Sequence, residues 1–167
     1  MKKNLLVLLI LFPSGLLQAQ KEDTAYKYWM TIGFFFDADV TLNLSYNFAI
    51  GENFYKVSYQ KKGDAILGGG FNHSDFLFRE IDISIGKRLQ SEWFQASLFT
   101  GPSYVYGKRR FRNSRIEKFD TVGLETDIQL LFRPANEIGL GIGLYGNLNF
   151  IKNYAGININ LTFGNGK

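Results

Sequence analysis

The sequence predicts an all-β fold: an eight-stranded, antiparallel, up-and-down barrel that spans a membrane. Three observations lead there. Along residues 138–163 the apolar side chains fall on alternate positions: Ile138, Leu140, Ile142, Leu144, Leu148 and Phe150, then Ile157, Ile159, Leu161 and Phe163. That is the period of a strand, not of a helix. The positions between them hold Gly, Asn, Tyr and Thr, and Lys152 is the only charge in the stretch. A strand pair wetted on one side carries Lys and Glu there, so here one face suits hydrocarbon and the other a small, neutral interior. The third observation is a regular succession of short and long connections between strand-like segments, the asymmetry of barrels that cross a membrane.

With 167 residues the chain is long enough for one domain. Residues 1–19 read as a cleaved signal peptide and residues 20–167 as the barrel domain. Lys2 and Lys3 form a basic start, and 4–12 is an apolar run. Pro13, Ser14 and Gly15 break that run, and Ala19 supplies a small residue for cleavage. The run is too short for a spanning helix. With no Cys in the chain, disulfides, thiolate metal sites and a lipidated cysteine are all excluded. The formal charge of +4 becomes +2 once Lys2 and Lys3 leave, too little to argue for a nucleic-acid partner. Aromatic residues make up 16%, a high share that suits a wall meeting lipid headgroups. An exported chain without an apolar run of about 18 residues is secreted, periplasmic or a barrel in an outer membrane.

The first strand is expected at 28–36, with Met30, Ile32, Phe34 and Phe36 on one face, and the 37–39 segment turns the chain. The second, 40–50, sets Val40, Leu42, Leu44, Tyr46, Phe48 and Ile50 against Thr41, Asn43, Ser45 and Asn47; a turn at 51–53 follows. The third, 54–60, opposes Tyr55, Val57 and Tyr59 to Lys56, Ser58 and Gln60, and leads into a long connection, 61–75. The fourth, 76–88, opposes Ile81, Ile83 and Ile85 to Glu80, Asp82 and Ser84. Arg79 falls on its apolar parity, so a bulge is expected there, or a strand already clear of the membrane. The fifth, 93–106, alternates weakly, and Gly101-Pro102 reads as a bulge or the membrane rim because proline cannot donate to a ladder. A basic loop is expected at 107–118. The sixth strand, 120–133, sets Val122, Leu124, Thr126, Ile128, Leu130 and Phe132 against Gly123, Glu125, Asp127 and Gln129. A turn at 134–137 leads to the closing pair.

If the N-terminus is periplasmic, the connections at 51–53, 89–92 and 134–137 are periplasmic and short, and the long ones at 61–75 and 107–118 face outward. Alternation alone leaves open a soluble lipocalin-like barrel that holds an apolar ligand inside. Lipid outside is favoured by the scarcity of Lys and Glu on the polar faces and by the small residues there. Aromatics near strand ends point the same way: Tyr28, Trp29, Phe48, Trp93, Phe94, Tyr104, Tyr106, Phe132 and Tyr154 read as two interfacial girdles.

As a pattern over the mature chain, the sequence resembles the small eight-stranded outer-membrane β-barrel proteins of Gram-negative bacteria, the OmpA/OmpX-like class. The run Gly156-Ile157-Asn158-Ile159-Asn160-Leu161-Thr162-Phe163 is similar to the C-terminal signal that such barrels present to the insertion machinery. That signal ordinarily ends on its aromatic residue, and here 164–167 follow. The resemblance is to the barrel alone. It implies an outer-membrane location and contact with outer-membrane lipid and lipopolysaccharide. It also implies passage through the barrel-insertion machinery.

Lys56, Glu80, Asp82, Arg88, Glu125 and Asp127 lie on polar faces, with Arg133 beside them. Inside a barrel they would meet across the lumen, and unpaired buried charge is costly, so an ion-paired, hydrogen-bonded plug is expected. A narrow or gated pore and carboxylate acid–base chemistry are the other readings of the same residues. His73-Ser74-Asp75 is the one place for nucleophilic chemistry, but neighbours in a loop are not convergent side chains. Gly68-Gly69-Gly70 lacks the Lys-Ser/Thr and helix of a phosphate loop. Lys108, Arg109, Arg110, Arg112, Arg115 and Lys118 crowd one external connection around Phe111, opposed within it only by Glu117. They are candidates for contact with lipopolysaccharide phosphates or an anionic polymer. No cofactor, metal or catalytic residue is expected. The function expected is non-enzymatic: a monomeric barrel with a filled or very narrow lumen and a role in envelope integrity or surface interaction. A soluble ligand-binding barrel and a lipid A-modifying enzyme are the alternatives.

Overall fold

In the computed structural model, the described residues are 27–36, 40–62, 76–110, 115–133 and 137–164. They form eight strands: β1 (Tyr28–Phe36), β2 (Val40–Ile50), β3 (Asn53–Lys62), β4 (Phe76–Gln90), β5 (Phe94–Arg110), β6 (Ile116–Phe132), β7 (Ile138–Asn149) and β8 (Tyr154–Phe163). Each strand pairs antiparallel with the next, and β8 returns to β1 to close the barrel. Closure leaves no open sheet edge around the wall, which is what a hydrocarbon surround demands.

The apolar parity of every strand points outward. Ile83 is 60% exposed and Ile142 52%, while Glu80, Asp82 and Arg88 on the other parity of β4 and Asn147 on that of β7 are buried. A soluble barrel would reverse this, so the lipocalin-like alternative falls. The fold is an eight-stranded antiparallel transmembrane β-barrel. The outer face of β4 shows the extent of the belt: Arg79 and Lys87 are its only charges, and Ile81, Ile83 and Ile85 fill the interval. Eight residues of strand at about 3.3 Å each, tilted by about 40°, give roughly 20 Å of height, close to the apolar band of such barrels.

Two expectations about β4 and β5 are corrected. Of the two readings of Arg79 only the bulge is corrected: Lys61 pairs with it on one side and Tyr106 on the other without a break in register. Nor is Gly101-Pro102 a bulge or a rim. β5 runs straight through it, with Gly101 opposite Glu125 and Pro102 opposite Leu124. Pro102 points outward, and the β4–β5 register is the same before and after it. Gly101 is needed for a different reason. A Cβ there would sit 2.1 Å from the carbonyl oxygen of Ile83, so only glycine lets β5 lie this close to β4.

Nor is the stretch 107–118 simply a loop. β5 continues to Arg110 and β6 begins at Ile116, paired Lys108 to Lys118 and Arg109 to Glu117. Pairing of β6 with β7 begins only at Gly123. Among the described strands residues 116–122 therefore pair with β5 alone, and the β5–β6 hairpin rises roughly 20 Å beyond β7 at about 3.3 Å per residue. At the end of the barrel that carries the chain termini, Gly51 turns β2 into β3 with φ 59°, the left-handed geometry that tight hairpins use. At the opposite end, the Asn149 side chain accepts from the backbone of Ile151 and Lys152, 2.9 Å each, and tightens the β7–β8 turn.

Candidate functional site: the charged lumen and the projecting hairpin

The inward parity carries both polar and aromatic side chains, and they sort into three levels. Near the termini, Trp29, Phe54 and Phe99 form one buried cluster. Toward the loops, Phe35, Phe76, Phe78, Val105, Tyr145 and Tyr154 form another, with Phe119 packed against it. The charges lie between them: Lys56 Nζ is 5.5 Å from the Phe99 ring centre below and 5.8 Å from that of Tyr145 above.

Strand pairing explains how the charged level assembles. Lys56 on β3 and Glu125 and Asp127 on β6 start on opposite walls, and an eight-stranded barrel is narrow enough for side chains to meet across it. Lys56 Nζ bonds Glu125 Oε1, reaches Asp127 Oδ2 at 2.8 Å, and stands 4.0 Å from Asp82 Oδ1. The carboxylates are held from behind. Ser58 donates to Asp82, Ser84 to Glu125 at 2.7 Å, Gln129 to Asp127 at 2.5 Å, and Asn158 to Asp127 at 3.2 Å. Glu80 sits one step toward the loops, where it accepts from Tyr145 Oη at 2.7 Å, Tyr154 Oη and Asn147 Nδ2 at 2.5 Å. Every one of these carboxylates is buried. Charge-assisted bonds of this kind offset the desolvation that burial imposes.

Arg88 lies below this level. Its guanidinium carbon is 3.7 Å from the Trp29 ring centre and 4.6 Å from that of Phe54, and its Nε donates to Ser97 Oγ at 3.2 Å. Arg133 follows the end of β6 and is buried near the termini, where Nη2 donates to the Gly164 carbonyl at 2.6 Å.

The girdle expectation needs correction at two residues. Trp29 and Tyr154 face inward and are buried, while Tyr28, Trp93, Phe94, Tyr104 and Phe132 face outward. Strand parity carried that signal, since Trp29 shares its face with Thr31 and Gly33. The interior is also not the small, hydrophilic space suggested by the last two strands, because large rings occupy both ends of it.

The basic cluster divides. Lys108 and Arg110 end β5, Lys118 lies near the start of β6, and all are exposed. Arg109 is on the opposite parity, across from Glu117. Arg115 immediately precedes β6 and is exposed. Arg112 lies outside the described residues, as do residues 1–19, Gly68 to Gly70, and His73, Ser74 and Asp75. Among the described residues no group of His, Cys, Asp and Glu is placed to hold a metal ion.

No protein-family model matches the chain, and no curated protein matches it in sequence. Solved structures do match in fold. The N-terminal β-barrel domain of Pseudomonas aeruginosa OprF superposes with a TM-score of 0.65 at 7% identity, covering 86% of this chain and 99% of that one. The Yersinia pestis outer membrane protein Ail, in a phospholipid bilayer nanodisc, gives 0.55 at 13%, covering 84% and 99%. Neisserial surface protein A gives 0.53 at 11%, covering 83% and 92%. A further Ail structure holds the heparin analogue sucrose octasulfate. The fold is thus that of the small eight-stranded outer-membrane barrels. At these identities the likeness concerns fold alone.

Proposed function

We propose that this is a non-enzymatic outer-membrane protein whose barrel is an anchor and whose working surface is the β5–β6 hairpin, held out to meet anionic polymers at the cell surface. The observation that carries the reading is the contrast between the two parts. Among the described residues the lumen carries a ring cluster, a charge network and a second ring cluster in succession, and its carboxylates are buried, which supports a wall without a conduit or a reachable carboxylate. The hairpin projects past β7 with Lys108, Arg110, Arg115 and Lys118 exposed on it. Clustered cations on a paired ribbon attract and hold phosphate or sulfate groups. The polysulfated ligand in the Ail structure belongs to that protein, and it makes a sulfated sugar a sensible probe for this one. Export through a cleaved signal at residues 1–19, insertion by the barrel-assembly machinery and life as a monomer belong to the same proposal.

The test replaces Arg110 and Arg115 with Ser, leaving Lys108 and Lys118 in place, and measures affinity for immobilised heparin and for purified lipopolysaccharide. The proposal expects both to fall at least tenfold and to weaken steeply with salt. Unchanged affinities, with heat-modifiable gel migration intact, would end the hairpin reading.

A further inference from the structure

We infer that the outer wall carries a binding groove for the phosphorylated headgroup of an acylated membrane lipid, built on β3, β4, β5 and β6 at the loop-side limit of the apolar belt. This rests on the outer-membrane reading above and shares Lys108 and Lys118 with the base of the hairpin, but its other cationic pair, Lys61 and Arg79, lies on the barrel wall. A groove of about 850 Å³ opens there, and Lys61, Arg79, Lys108, Lys118, Tyr104 and Tyr106 are among its walls. Its geometry follows from register. Lys61 stands directly opposite Arg79, and Arg79 opposite Tyr106. One step farther out, Leu77 stands opposite Lys108, and Lys108 opposite Lys118. One step inward, Tyr59, Ile81, Tyr104 and Val122 form a continuous apolar row.

Two features of this arrangement point to a ligand. Directly opposed like charges destabilise a sheet, yet two such cationic pairs, Lys61 with Arg79 and Lys108 with Lys118, lie side by side on one face. Asp120, opposite Tyr106, is the one acidic side chain among the described residues of the groove's walls. A phosphate lodged between the pairs turns that repulsion into charge-assisted hydrogen bonding, and Arg79 contributes a planar fork suited to it. The second feature is height. A lipid-facing cation costs about 2–4 kcal/mol at the bilayer midplane and little at the interface, which fits Arg79 at the border of the belt. Tyr104 and Tyr106 stack at 5.7 Å beside it, and tyrosines favour the headgroup level. Phosphate above and an apolar row below describe an amphiphile with its chains running down the wall toward Ile83.

Purified protein in uncharged maltoside micelles is titrated with short-chain phosphatidic acid, with diacylglycerol of the same chains, and with inorganic phosphate, read by amide shifts on β4 and β5 and by calorimetry. The expected result is saturable binding of phosphatidic acid only. Lys61→Gln/Arg79→Gln and Lys108→Gln/Lys118→Gln each weaken it at least tenfold, and Lys87→Gln at the other rim of β4 leaves it unchanged. Binding of inorganic phosphate as tight as that of the lipid overturns the lipid assignment. Equal affinity in the groove variants, or binding of diacylglycerol as tight as that of phosphatidic acid, overturns the site. A separate arm checks, by quenching from brominated acyl chains, that an Ile142→Trp variant lies in lipid. If that arm passes and phosphatidic acid fails, only the groove falls; if that arm fails, the membrane reading falls with it.

Discussion

Lys56 on β3 and Asp127 on β6 are 71 residues apart in sequence and 2.8 Å apart across the barrel, Nζ to Oδ2. Glu125 bonds the same ammonium, and Asp82 stands 4.0 Å away. One cation therefore organises carboxylates from two strands, and all four side chains are buried. Removing it leaves like charges facing one another at low dielectric. The Lys56→Met variant is expected to lose about 3–5 kcal/mol of stability, the range for a buried pair broken from one side. Urea unfolding in detergent measures this. Adding Glu125→Gln and Asp127→Asn to Lys56→Met is expected to recover most of the loss, as coupled neighbours do in a mutant cycle. Additive losses would mean that the ammonium and the carboxylates do not act as a unit.

The Glu80 carboxylate gathers Tyr145, Tyr154 and Asn147 from β7 and β8. Tyr145→Phe keeps the ring against Phe35, 5.2 Å between centres, and removes only the hydroxyl. A hydrogen bond to a charged group contributes about 1.5–3 kcal/mol, so a loss of that order is expected in the same assay. Glu80→Leu is expected to cost more than Tyr145→Phe, because it strands several donors at once. The reverse order would contradict the network.

The Arg88 guanidinium carbon lies 3.7 Å from the Trp29 ring centre. Arg88→Lys keeps the charge and loses the planar face. In a Trp93→Phe background, where Trp29 is the only indole left of the chain's two, the substitution is expected to shift Trp29 emission and to lower the thermal midpoint. Unaltered emission would show that the stack is not populated.

Reconstituted in planar bilayers, the native barrel is expected to pass no steady current, because ring clusters fill both ends of the lumen. Phe99→Ala is expected to cost about 3–5 kcal/mol of stability without opening a channel, since the charge level and the upper cluster remain. Steady ohmic conductance of the native protein would refute the filled lumen.

Strand parity made much of this molecule legible. β1 and β2 begin and end where alternation does, and Ile138 to Phe163 reads as a wall because hydrocarbon outside leaves no place for a charge on that face. What parity does not carry is which inward side chains touch. Lys56 meets β6 only because the barrel closes with a particular stagger, and closure is not a local property. The extra length of β5 and β6 was also hidden: a hairpin in water alternates charge with charge, as Lys108, Arg109 and Arg110 do, and looks like a loop. Trp29 and Tyr154 look like girdle residues in the sequence because aromatic rings near strand ends suggest the interface. In a narrow barrel the same rings also serve as stoppers, and only their parity with Thr31 and Asn158 separates the two uses.

The central claim is that the apolar parity faces acyl chains and the charged parity is enclosed. Two single-tryptophan proteins in bilayers of chain-brominated lipid test it directly: Trp93→Phe, which retains Trp29, and Trp29→Phe/Trp93→Phe/Ile142→Trp. Strong quenching of the tryptophan at position 142 and little at Trp29 is the result predicted. Quenching of Trp29 with protection at position 142 would contradict it.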